Sequence, residues 1–135
     1  MALQFGTTYR NALLDQFETT TGTAAILEIR SGAAPATCAT ADSGTLLASM
    51  TLPSDWMAAA SGGTKALVGS WTDSSANNTG TAAHFRIKDS GGTVCHMQGT
   101  VTATGGGGDL TLDNTSIATA QAVTITSFTL TAPGA

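Results

Sequence analysis

An alternating pattern in residues 80–102 constrains the fold more than any other feature of this chain. Apolar and polar side chains alternate on both sides of a Ser-Gly-Gly sequence, which is typical of a β-hairpin. A three-residue loop at 90–92 predicts that Phe85 faces Met97 and that Ile87 faces Cys95. A slip of one residue would mix the two faces. The predicted core face holds Ala83, Phe85, Ile87, Cys95, Met97 and Val101, and the predicted outer face holds His84, Arg86, Lys88, His96 and Gln98.

Most of the remaining chain also has a β pattern. Leu27 and Ile29 alternate with Glu28 and Arg30, which indicates a half-buried strand. Residues 31–43 are rich in Ala, Thr, Gly and Pro, and predict a long loop. A change of phase near Ser127 predicts a bulge or a bend between two sheets. The sequence therefore predicts an all-β fold, an antiparallel β-sandwich or jelly roll with one N-terminal helix.

The helix is predicted near the start of the chain, where one apolar stripe follows a helical spacing. Thr7 or Thr8 is expected to cap its start, and Gly22 to end it. We therefore divide the chain into an N-terminal arm and helix (residues 1–22) and a single β-sandwich domain (residues 23–135). The stripe is formed by Tyr9, Leu13, Leu14 and Phe17.

Charge excludes several classes of function. Only 10% of residues are charged and the net charge is -4, without a cluster of Lys or Arg. Nucleic-acid binding requires a basic surface, so we expect none. We expect no membrane span, because no apolar stretch is long enough. The start of the chain lacks the pattern of a signal peptide, so Cys38 and Cys95 are expected to be reduced thiols unless the fold brings them together.

The residues that carry chemistry form no recognisable catalytic pattern. His84, Cys95 and His96 are near in sequence, but neighbours on a strand point to opposite faces, which argues against a shared zinc ion. No nucleophile is placed beside a histidine in a known motif. Glu18 and Glu28 are the only glutamates, and no aromatic cluster accompanies them. We therefore expect no enzyme activity, no cofactor and no metal.

Candidate interface residues lie in three places. The arm and helix offer Phe5, Tyr9, Leu13 and Phe17 as a contact with another subunit. Trp56, next to a Pro-Ser-Asp sequence, is either a lid over the core or an interface anchor. On the outer face of the hairpin, Arg86 and Lys88 either meet an acidic partner or remain solvated.

Several phrases resemble a set of small tailed-bacteriophage proteins encoded among virion structural genes. They cover much of the chain after residue 25. The resemblance implies a β-sandwich or jelly-roll virion component and, within that class, a head decoration (cement) protein without enzyme activity. The matching phrases are Leu-Glu-Ile-Arg-Ser-Gly (27–32), Gly-Thr-Leu-Leu-Ala (44–48), Gly-Thr-Ala-Ala-His-Phe-Arg-Ile-Lys-Asp (80–89), Gln-Gly-Thr-Val (98–101) and Leu-Asp-Asn-Thr-Ser-Ile (112–117).

This resemblance sets the expected partners and location. A decoration protein would be made in the host bacterial cytoplasm, bind the major capsid protein or another virion protein, and lie on the capsid exterior. We expect a homo-oligomer, a trimer or a dimer, because symmetric assembly suits a lattice axis. The alternative is a tail, collar or fibre-associated protein with a host- or glycan-binding role, for which Trp56 and Trp71 are the available loop aromatics.

Overall fold

A computed structural model describes residues 2–135, which form one helix packed against a mostly β body. Helix α1 spans Thr7–Thr21. The strands are β1 (Ile26–Arg30), β2 (Leu46–Thr51), β3 (Thr64–Ala66), β4 (Trp71–Asp73), β5 (Gly80–Thr81), β6 (His84–Lys88), β7 (Cys95–Ala103), β8 (Leu110–Leu112), β9 (Ser116–Ile117), β10 (Val123–Ile125) and β11 (Thr129–Thr131).

The main sheet has five strands in the order β2-β1-β6-β7-β8. Its neighbours are antiparallel except β7 and β8, which pair in parallel. This parallel pair corrects the expectation of a purely antiparallel sheet. The glycine-rich connector at residues 104–109 allows the chain to return to the same edge in the same direction. Three two-stranded sheets, β10-β4, β11-β3 and β5-β9, complete the body.

The change of phase near Ser127 is where the chain passes between sheets, as the sequence predicts. Strand β10 pairs with β4, whereas β11 pairs with β3. Phe128, between the two strands, is buried and contacts Trp71 and Phe85 with ring centroids 5.5 Å and 5.7 Å apart. The core thus joins the main sheet to the smaller ones through aromatic rings.

The β6–β7 hairpin has a different register from the predicted one. The turn spans residues 89–94, where the carboxylate of Asp89 accepts bonds from the amides of Thr93 and Val94. Ile87 therefore lies opposite Met97, and a bulge places Lys88 opposite Cys95. A bulge adds an unpaired residue and reverses which face the next side chain joins. Cys95 thus leaves the core face, where the sequence pattern had placed it.

Helix α1 begins after Gly6, without a side-chain cap, so the predicted capping by Thr7 or Thr8 is wrong. Its end is as predicted, since Gly22 has a φ of 85° and its amide bonds to the carbonyl of Glu18. No helix among residues 2–135 is both long and apolar enough to cross a bilayer.

Candidate interaction surface

The predicted outer face of β6 is buried. His84, Arg86 and Lys88 are 1%, 2% and 4% exposed, so the expectation that the two cations meet solvent or an acidic partner is wrong in this structure. The reason is the long loop at residues 31–43, which we call the cover loop. It lies across these side chains, and alternation alone predicts the side of a strand, not whether another segment covers it.

A single carboxylate on the cover loop gathers the cations of the sheet. The Asp42 side chain accepts bonds from Arg86 Nη1 at 2.5 Å, Lys88 Nζ at 2.6 Å and Arg30 Nη2 at 3.1 Å. Glu28, on β1, bridges Arg30 Nε at 2.9 Å and Lys88 Nζ at 3.1 Å. Burial alone would raise the pKa of Asp42, but the bonds from Lys88 and Arg86 outweigh it and leave the pKa below its ordinary value.

The backbone of the cover loop is also held by side chains of the sheet. Arg86 Nη2 donates to the carbonyl oxygens of Cys38 and Thr40 at 2.7 Å and 3.0 Å. Gln98 Nε2 donates to the carbonyl of Pro35 at 2.7 Å. His84 Nδ1 lies 2.8 Å from the carbonyl of Gly32, so that nitrogen carries the proton and donates.

A disulfide bond fixes the cover loop to β7. Cys38 and Cys95 are bonded, with Cα atoms 5.2 Å apart. The expectation of reduced thiols is therefore wrong, because the bulge turns Cys95 towards the loop. Their separation of 57 residues gave no local signal for this pairing.

Helix α1 is attached by a second group of polar contacts. Lys65, on β3, is 3% exposed and reaches Asp15 at 2.7 Å and Glu18 at 2.9 Å. The bond from Lys65 and one from the Ala60 amide lower the pKa of Asp15. Burial would lower the pKa of Lys65, but its bonds to Asp15 and Glu18 reverse that effect and raise it.

Arg10 anchors the start of α1 to the end of the chain. Its Nη2 donates to the carbonyl of Ala132 at 2.8 Å, and its guanidinium lies against Gly63. A Cβ atom at Gly63 would come within 2.3 Å of that guanidinium, and its φ is 79°, so only glycine fits.

The apolar stripe predicted for the helix is split between two sides. Leu14 is buried, and Phe17 contacts Trp56 with ring centroids 5.6 Å apart. Tyr9 and Leu13 face outwards, with 53% and 40% of their surface exposed. The side of α1 that faces the body includes polar residues that form hydrogen bonds and ion pairs with it. The apolar spacing therefore did not identify this side correctly.

The predicted interface residues are therefore only partly brought together. Tyr9 and Leu13 are exposed, and half-buried Phe5 packs against Tyr9 at a centroid distance of 5.0 Å. Trp56 is fully buried, and its Nε1 donates to the carbonyl of Gly22 at 3.2 Å. It is a core residue, not an anchor on the surface.

All the cations of the chain serve these internal attachments. The chain has five Lys and Arg residues. Four are buried, and the Arg30 side chain is only 12% exposed. Within residues 2–135, the charged residues that are exposed are all aspartates: Asp42, Asp55, Asp109 and Asp113, together with the side chain of Asp15, which is 48% exposed.

The exposed positions on the outward side of α1 are uncharged, and the nearest exposed charge on the helix is the Asp15 side chain, which is 48% exposed and paired with Lys65. The exposed positions are Thr7, Thr8, Tyr9, Ala12, Leu13, Gln16, Thr19 and Thr20. A solvated helix normally presents charged residues on its outer face. This uncharged face, with Tyr9 and Leu13 as its large apolar side chains, is therefore the best candidate contact surface. Sequence reasoning found its residues through the stripe but missed Arg10, Asp42 and Lys65, which hold the covering segments.

Among residues 2–135, no group of three or more His, Cys, Asp or Glu side chains is placed to hold a metal ion. His84 is buried beneath the cover loop, and His96 is half-buried.

A scan against known protein families and searches of curated proteins and of solved structures each found no match.

Proposed function

We propose that this chain is a non-enzymatic structural protein of a bacteriophage virion, and that it decorates the outside of the head. Its surface is the observation that carries the proposal. Every lysine and arginine is turned inwards, and the exposed side consists mainly of small, hydroxyl-bearing and acidic residues, with a few exposed apolar side chains such as Leu3 and Val94. The sequence phrases that resemble small virion proteins of tailed phages support the same function.

Such a surface suits a protein that packs on a lattice. Small uncharged side chains lose little when water is removed, whereas charged ones cost much more unless they are paired. The uncharged face of α1, which includes Tyr9 and Leu13, is the proposed contact with the major capsid protein or with a second copy. A protein that binds only the assembled lattice stabilises it by mass action.

We also infer that the sheets stack as a β-sandwich, the architecture expected of such a virion protein. The support comes from the aromatic contacts of Phe128 with Phe85 on the main sheet and with Trp71 on β4. An experimental structure in which the main sheet and β10-β4 do not face one another would contradict this inference.

Binding to expanded phage heads tests the function. Leu13→Asp places a charge on the uncharged helix face, at a position that is 40% exposed and can therefore hydrate the new carboxylate. Ser90→Asp adds the same charge at the exposed tip of the β6–β7 turn and is the matched control. We expect Leu13→Asp to bind about tenfold more weakly or worse, and Ser90→Asp to bind as the original chain does.

Deletion of residues 1–22 is a poorer test, because it would leave buried Lys65 without Asp15 and Glu18.

A decoration role would be contradicted if the original chain did not bind heads at all. Its presence in a few copies per particle, rather than hundreds, would favour the tail or fibre alternative. That alternative predicted exposed tryptophans on loops, but Trp56 and Trp71 are both fully buried.

A further inference from the structure

The face of the sheet beneath the cover loop has the features of a ligand site that the chain itself occupies. Arg30, Arg86 and Lys88 converge on one carboxylate, that of Asp42. The side chains of Gln98 and His84 donate hydrogen bonds to main-chain carbonyls of the same loop. Together these groups bind a short peptide segment through its backbone and one acidic side chain.

The closed arrangement leaves polar groups of this face unpaired. Among described side chains, the buried nitrogen or oxygen atoms without a partner are His84 Nε2, Arg86 Nε and Gln98 Oε1. All three residues share the face that the cover loop occupies. A buried polar atom without a hydrogen-bond partner destabilises the state that buries it. Opening the loop would let water or a ligand bond to these atoms.

Little apolar surface opposes that opening. The side chains that the loop covers are polar or charged, and the alanines at 33, 34, 36, 39 and 41 are exposed. Burial of apolar area is the main force that holds most covering segments in place. Here ion pairs, hydrogen bonds and the disulfide between Cys38 and Cys95 hold the loop.

We propose that the cover loop is a redox-controlled lid on a binding site for an acidic peptide segment of a partner protein, with Asp42 as the internal occupant. A dithiol opens the lid by thiol–disulfide exchange. Two electrons and two protons pass from the dithiol to Cys38 and Cys95, which become thiols, while the dithiol becomes a cyclic disulfide. The partner's carboxylate then replaces that of Asp42 on Arg86 and Lys88.

The ligand class follows from what the face binds. The sheet face donates hydrogen bonds to backbone carbonyls spaced along the loop and to one carboxylate, a set of acceptors that a peptide offers. An inorganic oxyanion would satisfy the cations but would leave Gln98 and His84 without carbonyl partners. A carboxylate paired with Arg is also the stronger, geometrically defined contact.

Peptide binding tests the site. The protein variant Asp42→Asn weakens the internal occupant. The probe is a labelled peptide of residues 31–43 with Cys38→Ser, and its matched control carries Asp42→Asn as well. We expect the dithiol-reduced variant to bind the acidic probe about tenfold or more tightly than the control, because charge-assisted bonds are lost. The oxidised variant should bind neither. Equal binding of both peptides, binding independent of reduction, or no binding would overturn the proposal, as would equally tight binding of inorganic phosphate.

Acylation of the lysines tests the opening in the original chain and does not depend on the variant folding. Lys88 lies under the cover loop, whereas Lys65 lies under α1 and serves as the internal control. Reduction should raise the acylation rate of Lys88 about tenfold or more and leave that of Lys65 unchanged. An unchanged Lys88 would mean that the lid stays closed, and a parallel rise at Lys65 would mean general unfolding. Either result would refute the lid.

Discussion

The cover loop and helix α1 both lie over the β body, and both are attached by ion pairs, yet they differ in what accompanies those pairs. The loop adds a disulfide and almost no apolar contact. The helix adds the buried side chain of Leu14 and the contact of Phe17 with Trp56, and contains no cysteine that could form a disulfide. The loop therefore depends on polar contacts and one disulfide, whereas the helix combines polar contacts with apolar packing.

The two covering segments share one arrangement of charge. In the loop, the acid is on the covering segment and the cations are on the sheet. At the helix, Asp15 and Glu18 are on the covering segment and Lys65 is on the body. Both segments thus bring carboxylates to cations that would otherwise be exposed. The outer surface is left without Lys or Arg in the described residues.

Loss of the disulfide should have the largest effect. The chain-entropy relation for a separation of 57 residues gives about 4 kcal/mol. The double variant Cys38→Ser, Cys95→Ser should lose about that much free energy of unfolding in urea titrations. Adding a dithiol should destabilise the original chain equally and leave the double variant unchanged. An original chain insensitive to the dithiol would show that the bond does not form.

Removing Arg86 should have the next largest effect. Arg86→Met takes away the donor that bonds to Asp42 and to the carbonyls of Cys38 and Thr40. Breaking one partner of a fully buried pair costs about 3–5 kcal/mol. Because Asp42 is partly exposed and keeps its bonds from Lys88 and Arg30, we expect a loss of about 3 kcal/mol. Arg86→Lys keeps the charge and should lose less. A free energy of unfolding for Arg86→Met within error of that of the original chain would show that these contacts with the loop do not stabilise the fold.

The helix should respond to apolar truncation instead. Leu14→Ala removes a buried side chain and should cost about 2–3 kcal/mol in urea unfolding. Leu13→Ala, its exposed neighbour, is the matched control and should change stability by less than about 0.5 kcal/mol. Equal effects of the two changes would mean that the helix does not pack on its Leu14 side.

The smallest effects should appear with pH, where the acid Asp42 of the cover loop and the base Lys65 beneath α1 act in opposite directions. The folded pKa of Asp42 is lowered, so its contribution is present above about pH 3.8 and is lost as the pH falls further. The folded pKa of Lys65 is raised, so its contribution is present below about pH 10.5 and is lost as the pH rises beyond its folded value. The free energy of unfolding should change less with pH in acid for Asp42→Asn than for the original chain, and less with pH in alkali for Lys65→Met. The reverse assignment would contradict these contacts.

Local patterns predicted much of this fold. The helix, its end at Gly22, the core side of Leu27 and Ile29 and the break near Ser127 all follow from spacing and turn chemistry. What could not be predicted depends on distant segments. Alternation separates two faces of a strand, but it does not reveal that a loop some 45 residues away covers one of them.

The candidate site shows the same limit. The bulge that redirects Cys95 comes from a turn longer than the three residues that Ser-Gly-Gly suggested. One signal was present in the sequence: Asp42 is the only charged residue in the loop, while three cations on β1 and β6 lacked an obvious partner. Pairing that acid with those cations would have predicted the covered face.

Acylation of the oxidised, native protein tests most directly the claim that its cations serve as internal attachments. The chain has two lysines, Lys65 and Lys88, which are 3% and 4% exposed. Peptide mapping after treatment with an amine-reactive ester should find both unmodified under conditions that modify them fully in the denatured chain. Rapid modification of either lysine in the native protein would show that its covering segment does not hold it inside, and would contradict the claim.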